Sequence, residues 1–132
     1  MSEYTEQAEN FLAKHNLKFR AVYVENAPYF DGDKEARDIY NLTITGNGKK
    51  RMTVKFGQSI NGSRNGEIPT AYDLLASITD YDPGSFSDFC SDFGYDEDSR
   101  SAEKTYKNVK KEYVKVVNFF TSEQLDEIQE IN

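Results

Sequence analysis

The stretch DIYNLTITGNGKKRMTVKF, residues 38–56, decides the fold. Two runs rich in β-branched and aromatic residues, 38–45 and 51–56, flank Gly46-Asn47-Gly48-Lys49. Glycine and asparagine tolerate the positive φ angles that tight hairpin turns require. The stretch therefore predicts a β-hairpin.

Toward the N-terminus, the sequence predicts one helix and one further strand. Residues 2–15 carry apolar or aromatic side chains at spacings of three and four, which is the period of an amphipathic helix. The run LKFRAVYV, residues 17–24, instead alternates with a period of two, with Lys18 and Arg20 on one face and Phe19 and Ala21 on the other. Pro28 and Asp31-Gly32-Asp33 then predict a loop before the hairpin.

Toward the C-terminus, the pattern changes from strands to helices. Pro69 favours a helix start, and apolar spacing predicts helices over 69–81, 85–93, from Ser99 or Ser101 to about 120, and from Thr121 to about 131. Strands and helices do not alternate, so we expect one α+β domain over 1–132: a three-stranded antiparallel sheet with an N-terminal helix and a C-terminal group of about four helices. Its parts would be a helix plus β-meander over 1–66 and an acidic helical half over 67–132.

Local signals mark the ends of two of these helices. Ser85 fits the N-cap and Gly94 the C-terminal stop of the helix over 85–93, and Thr121 with Gln124 fits a capping box at the start of the last helix. The helix over 85–93 is predicted to bury an apolar stripe of Phe86, Phe89, Cys90 and Phe93.

Composition excludes several classes of protein. One cysteine and one histidine in 132 residues allow neither an internal disulfide nor a Cys/His zinc site, so we expect no metal or cofactor and a reducing compartment. The sequence has no apolar run of membrane-spanning length and begins with an acidic, polar segment. These features predict a soluble protein of a reducing cytoplasm.

The charge is distributed unevenly along the chain. The net charge is −7, but residues 1–66 hold ten bases and eight acids, whereas residues 67–132 hold six bases and fifteen acids. Residues 65–99 contain nine acids and neither lysine nor arginine. Aromatic and aliphatic residues are interleaved with these acids, which predicts folded structure rather than a disordered tail.

Two interpretations of this acidic block are open: a solvated face, or an array that imitates the phosphates of a nucleic acid and binds a protein in its place. In the second interpretation the partner is a protein or ribonucleoprotein complex that handles nucleic acid. The partner-binding residues would be Asp80, Asp82, Asp88, Asp92, Asp96, Glu97 and Asp98.

The candidates for enzymatic or metal chemistry are weak. Cys90 lies within a predicted apolar helix stripe and His15 ends another, so both are better interpreted as structural residues than as a nucleophile and a base. Residues 92–103 have acids at EF-hand ligand positions, but Glu97 stands where the turn needs glycine and Gly94 where a ligand is needed. Carboxylates are abundant enough for an acid–base pair, but such a pair needs a cleft, and acids at loop and exposed helix positions usually serve solvation. We therefore expect the protein to have no enzymatic activity.

A second binding surface is predicted at the hairpin. Its bases are candidates for phosphate contacts, and solubilising turn residues are the alternative interpretation. If Tyr40 and Phe56 shared an exposed face with them, the sheet would resemble a single-strand-binding surface. The bases are Lys49, Lys50, Arg51, Lys55 and Arg64.

The segment PTAYDLLASITDYDPGSFSDFCSDFGYDEDSRSAEKTYKNVKKEY, residues 69–113, resembles a family of small accessory proteins of tailed phages and prophages. The similarity is centred on YDPGSFSDFCSDFGYDEDSR, residues 81–100. The resemblance implies no catalytic residues. It implies an inhibitor of host defence, with anti-CRISPR activity favoured, that acts on a host complex in the cytoplasm of the bacterial host. The alternative is a phage DNA-metabolism accessory protein that binds nucleic acid through the hairpin.

Overall fold

The computed structural model describes residues 3–29, 32–59, 67–78 and 82–131. The elements of the described chain are α1 (Glu3–Lys14), β1 (Lys18–Pro28), β2 (Ala36–Gly46), β3 (Lys50–Ser59), α2 (Ala71–Ser77), α3 (Phe86–Phe93), α4 (Arg100–Phe119) and α5 (Ser122–Ile131). The strands form one antiparallel sheet in the order β1-β2-β3, which confirms the predicted α+β fold.

The predicted hairpin is formed by β2 and β3. Gly46 pairs with Lys50, so Asn47, Gly48 and Lys49 make the turn, all three with positive φ. Gly46 itself has φ 146°, and a Cβ there would lie 2.4 Å from Cδ2 of Leu17. Glycine at this position therefore permits both the turn geometry and the close approach of the chain entering β1.

Strand β1 is longer than predicted. It pairs with β2 from Lys18 as far as Pro28, with a register shift between Tyr23 and Glu25 that leaves Val24 as the extra residue. A bulge of this kind lets pairing continue beyond an irregularity. Beyond the bulge, Asn26 donates a side-chain hydrogen bond of 3.0 Å to Asp38, which supports a segment whose composition disfavours a strand.

The chain divides into two compact units, which we call the sheet unit and the helical unit. The sheet unit takes in the described residues of Met1–Ser77 and Asp126–Asn132, and the helical unit those of Ile78–Leu125. The boundary falls after α2 because α2 packs on α1 and β3.

One face of the sheet supplies the core of the sheet unit. Side chains of β2 and β3 on this face are buried together with residues of α1 and α2. Tyr4 of α1 meets Tyr72 of α2 with ring centroids 5.3 Å apart. Helix α2 ends at Ser77, whereas the prediction extended it to 81, and residues 79–81 lie outside the described part of the chain. The buried set includes Ala8, Phe11, Leu12, Leu42, Ile44, Met52, Leu74 and Leu75.

The helical unit is built around α3 and α4. Ser85 caps α3 by accepting a hydrogen bond from the Asp88 amide, and Gly94 ends it with φ 71°, as predicted. Phe89, Cys90 and Ala102 form the buried cluster. The prediction that Phe93 completes this buried stripe is wrong: it stands at the end of α3, 56% exposed.

The predicted capping box at the start of α5 is confirmed. The Thr121 amide donates to Oε1 of Gln124 at 3.0 Å, and the Gln124 amide donates to Oγ1 of Thr121 at 3.2 Å. This reciprocal pair satisfies two amides that a helix start would leave without partners.

Within the sheet unit, Glu127 of α5 accepts hydrogen bonds from Lys14 and His15 at the end of α1. Lys14 first and His15 second hold the pKa of the Glu127 carboxyl below its usual range.

A carboxyl with a lowered pKa in the folded state stabilises the fold above its unfolded pKa, and that stability is lost as the pH falls through the folded value. We expect Glu127→Gln to reduce stability at pH 7, and the difference from the unmodified protein to shrink as the pH falls below the ordinary value of 4.5. Urea midpoints of both proteins between pH 3 and pH 7 test this; a gap of constant size across that range contradicts it.

Candidate functional site

The predicted acidic residues fall in the helical unit, on the segment 82–98. The described members are all exposed, and Asp80 lies outside the described residues. We call the described set the acidic segment; it comprises Asp82, Asp88, Asp92, Asp96, Glu97 and Asp98.

The N-terminal end of the acidic segment is fixed by Asp82. Its Oδ1 accepts a 2.9 Å hydrogen bond from the Gly84 amide and lies 3.5 Å from Nζ of Lys110. The Gly84 hydrogen bond first, and Lys110 second, hold the pKa of the Asp82 carboxyl below its usual range. Tyr106 also donates a 2.7 Å hydrogen bond to the Gly84 carbonyl. The chain entering α3 is therefore tied to α4 at two points.

Helix α3 carries the next two acids on its outer side. Phe89 and Cys90 are 2% exposed and face the core of the unit, whereas Asp88 and Asp92 are exposed and one turn apart. Side chains four residues apart lie on the same face of a helix. The two carboxylates are thus presented together by a helix that is anchored by its opposite side.

The remaining acids lie in the turn that joins α3 to α4. Asp96 accepts from the Asp98 amide through Oδ1 at 3.0 Å, and its carbonyl accepts from the Ser99 amide at 3.0 Å. Ser99 in turn caps α4 by accepting from the Ala102 amide. These bonds define the backbone on which Asp96, Glu97 and Asp98 stand.

Helix α4 adds positive charge to the same unit. Besides the Asp82–Lys110 pair, Lys107 contacts Glu103 at 3.0 Å. The unit therefore has an acidic part on α3 and the following turn, and a lysine-bearing side on α4. The lysines of α4 are Lys104, Lys107, Lys110, Lys111 and Lys115.

The calcium-loop spacing of residues 92–103 does not produce a metal site. Asp92 and Phe93 are the last residues of α3, and Gly94 is its C-cap, so the first positions of the loop are helical. Glu103, the twelfth position, pairs with Lys107. Among the described residues, no group of three or more His, Cys, Asp or Glu side chains could hold a metal ion.

Cys90 and His15 each have a structural setting in their own unit. Burial first, then the charges of Glu97 and Asp96, raise the pKa of the Cys90 thiol, which disfavours the nucleophilic thiolate. His15 stacks its ring 4.9 Å from that of Phe11 and contacts Glu127.

The predicted nucleic-acid surface at the hairpin is not assembled as the sequence suggested. Tyr40 and Phe56 are partners in the β2–β3 register. Arg51 and Lys55 lie on the opposite face of the sheet, because each is an odd number of residues from Phe56 along β3 and successive side chains of a strand alternate between faces. The aromatics and these two bases are therefore separated by the sheet. Lys49 and Lys50 are exposed at the turn, and Arg64 lies outside the described residues.

Two bases that the hairpin prediction missed lie beside Arg51 and Lys55. Lys18 pairs with Thr45 and Arg20 with Thr43, so both share the face that carries Arg51. The alternation of residues 17–24 placed Lys18 and Arg20 together, but only the register between strands joins them to the hairpin.

The sheet unit also has an open groove of about 350 Å³ beside α1, where Lys14, Glu127 and Glu130 are among the lining residues. Its charged residues include the Lys14–Glu127 pair, which already satisfies both groups.

In the described part of the chain, we find no helix with the length and apolar character needed to cross a membrane.

Comparison with protein-family models, with curated proteins and with solved structures found no match.

Proposed function

We propose that this protein is a phage-type, non-enzymatic inhibitor that binds a host nucleic-acid-handling defence complex, with a CRISPR effector favoured, through its acidic segment. The observation that carries the proposal is the exposure of six acids within 82–98, a stretch with no lysine or arginine, on a backbone fixed by helix caps and an aromatic core. The resemblance of residues 69–113 to phage accessory proteins supports the choice of partner.

The mechanism follows from electrostatics. A basic groove that binds the phosphates of DNA or RNA also attracts carboxylates presented on a fixed frame. Because α3 and the following turn are already ordered, binding does not have to order them first, which reduces its entropic cost. Binding of this kind is competitive with nucleic acid and weakens as salt concentration rises.

The test removes charge without removing hydrogen-bond acceptors. The variant is Asp88→Asn, Asp92→Asn, Asp96→Asn, Asp98→Asn. It keeps Oδ1 of residue 96, which accepts the hydrogen bond from the backbone amide of residue 98. If each exposed charge pair contributes about 0.5 kcal/mol, the four changes weaken binding by about 2 kcal/mol, or roughly 30-fold. The measurements are the affinity for a purified CRISPR effector and the inhibition of its target cleavage.

A matched control changes four exposed acids of the sheet unit to glutamine: Glu6, Glu9, Glu25 and Glu130. This control alters the net charge equally and should inhibit like the unmodified protein. Inhibition that survives the four asparagines, or that falls equally in the control, would refute mimicry by the acidic segment.

A further inference from the structure

The face of the sheet opposite the core is a cationic surface. Its positions follow from the strand register, in three rows that each cross β1, β2 and β3: Lys18–Thr45–Arg51, Arg20–Thr43–Thr53 and Val22–Asn41–Lys55. We call these nine residues the basic sheet face. They hold four bases, three threonines and no acid, in a chain whose net charge is −7.

Burial distinguishes the two faces of the sheet. Leu42, Ile44 and Met52, which alternate with the residues of the basic sheet face, are at most 2% exposed and belong to the core. Lys18, Arg20, Arg51 and Lys55 are all exposed. The basic sheet face ends at the next row, Glu25–Ile39–Gly57, which brings in an acid and a buried isoleucine, 3% exposed. In that row Gly57 leaves room for the Tyr29 ring: a Cβ there would lie 2.6 Å from Cδ2 of Tyr29.

Spacing brings the bases within reach of one ligand. Neighbouring strands are about 4.8 Å apart, and residues two apart on one strand are separated by about 7 Å. The backbones at Lys18 and Arg51, which are two strands apart, are therefore about 10 Å from each other, and Arg20 lies one row along. Thr45 lies between Lys18 and Arg51. Thr43 and Thr53 complete the row of Arg20 and share a 3.1 Å hydrogen bond between their hydroxyls. Hydroxyl groups next to Arg and Lys are common donors to phosphate oxygens.

The fourth base, Lys55, is held in place at the end of the basic sheet face. Its Nζ donates a 3.1 Å hydrogen bond to the Tyr29 carbonyl and lies 4.8 Å from the centroid of the Tyr29 ring. The Tyr29 hydroxyl returns a hydrogen bond to the Lys55 carbonyl. The positive charge at this end is therefore fixed before any ligand arrives.

We infer that the basic sheet face binds the phosphate backbone of a nucleic acid. Charge complementarity supports this inference: four bases in three rows, without a carboxylate among them, match a chain of phosphates. None of the nine residues is aromatic, and the nearest ring, that of Tyr29, already contacts Lys55 and lies against Gly57. The backbone is therefore the main ligand, and binding should depend little on sequence. The inference does not depend on the proposed function, because the acidic segment lies in the other unit.

The test measures binding of a fluorescein-labelled 20-nucleotide oligothymidylate between 50 and 200 mM salt. For four phosphate contacts to a single strand, log K should fall with log salt at a slope of about −2.8, which is about a 50-fold loss over this range. The triple variant Lys18→Gln, Arg20→Gln, Arg51→Gln leaves one contact, for which we expect a slope of about −0.7 and about a threefold loss. Oligoadenylate should bind within about twofold of oligothymidylate, because the backbone is the ligand.

The matched control is Lys104→Gln, Lys107→Gln, Lys111→Gln, which removes the same charge from α4. It should keep the steep slope. Absence of binding at 50 mM salt, an unchanged slope in the sheet variant, or an equal decrease in the α4 variant would overturn the inference. So would a strong preference for one base.

Circular dichroism of each variant verifies that the exposed substitutions leave the fold intact. The proposed function fails or survives separately, since it is tested on inhibition by variants of the acidic segment.

Discussion

Replacing Leu42 with alanine is expected to lower the free energy of unfolding of the sheet unit by about 3 kcal/mol, within the range of about 2–5 kcal/mol for buried leucines. Leu42 is 0% exposed and lies on the central strand, where it pairs with Ala21 of β1 and Val54 of β3. Removing its side chain costs the burial of the lost carbons and leaves a cavity that flanking strands cannot close.

Amide hydrogen exchange of β2, together with a urea titration, measures this loss locally and overall. The matched control is Val22→Ala, which removes an aliphatic side chain from the same sheet where it is 39% exposed. We expect a change below about 1 kcal/mol for the control, as for most surface substitutions. If both variants unfold at the same urea concentration, Leu42 does not belong to the core as described.

The hairpin could be predicted because its signals are local. Two strand-forming runs and a turn of Gly46 to Lys49 point to one structure, with no contribution needed from distant residues. The caps at Ser85, Gly94 and Thr121 were predictable for the same reason. In each case a side chain or a glycine satisfies neighbouring backbone within a few residues of the sequence.

Features that depend on distant parts of the chain were not predictable. The continuation of β1 through the bulge at Val24 depends on pairing with β2, and the extra residue is invisible to a period-of-two argument. Phe93 fits the apolar spacing of α3, yet its exposure is decided by where α4 packs.

The two candidate surfaces differ in the same way. The acidic segment is continuous in sequence, so its exposed acids could be named from the spacing around Phe89 and Cys90. The basic sheet face combines β1 and β3, and the strand register was needed to place Lys18 beside Arg51. A surface composed across a sheet has no linear signature, so the bases named from the sequence were limited to the hairpin and the loop after it.

Replacing Phe89 with alanine is expected to disorder α3 and to abolish the proposed inhibition, although no charge is changed. Phe89 is 2% exposed, and its ring lies 5.4 Å from that of Tyr106 and 5.5 Å from that of Tyr95. Loss of a buried phenylalanine costs about 3–5 kcal/mol. A helix of eight residues is marginal in water without packing, so α3 depends on this contact. Asp88 and Asp92 would then leave the frame that presents them.

Phe93→Ala separates this effect from the loss of any aromatic ring on the same helix. It removes an equal side chain four residues further along, where the ring is 56% exposed, and we expect it to cost less than about 1 kcal/mol. Hydrogen exchange of the α3 amides should accelerate strongly in Phe89→Ala and little in Phe93→Ala, and inhibition should follow the same order. If Phe89→Ala loses exchange protection yet still inhibits, the carboxylates act without a fixed frame, and a disordered acidic segment would replace the rigid mimic. If it retains protection, the aromatic cluster does not hold α3, because an eight-residue helix without that packing would exchange its amides quickly.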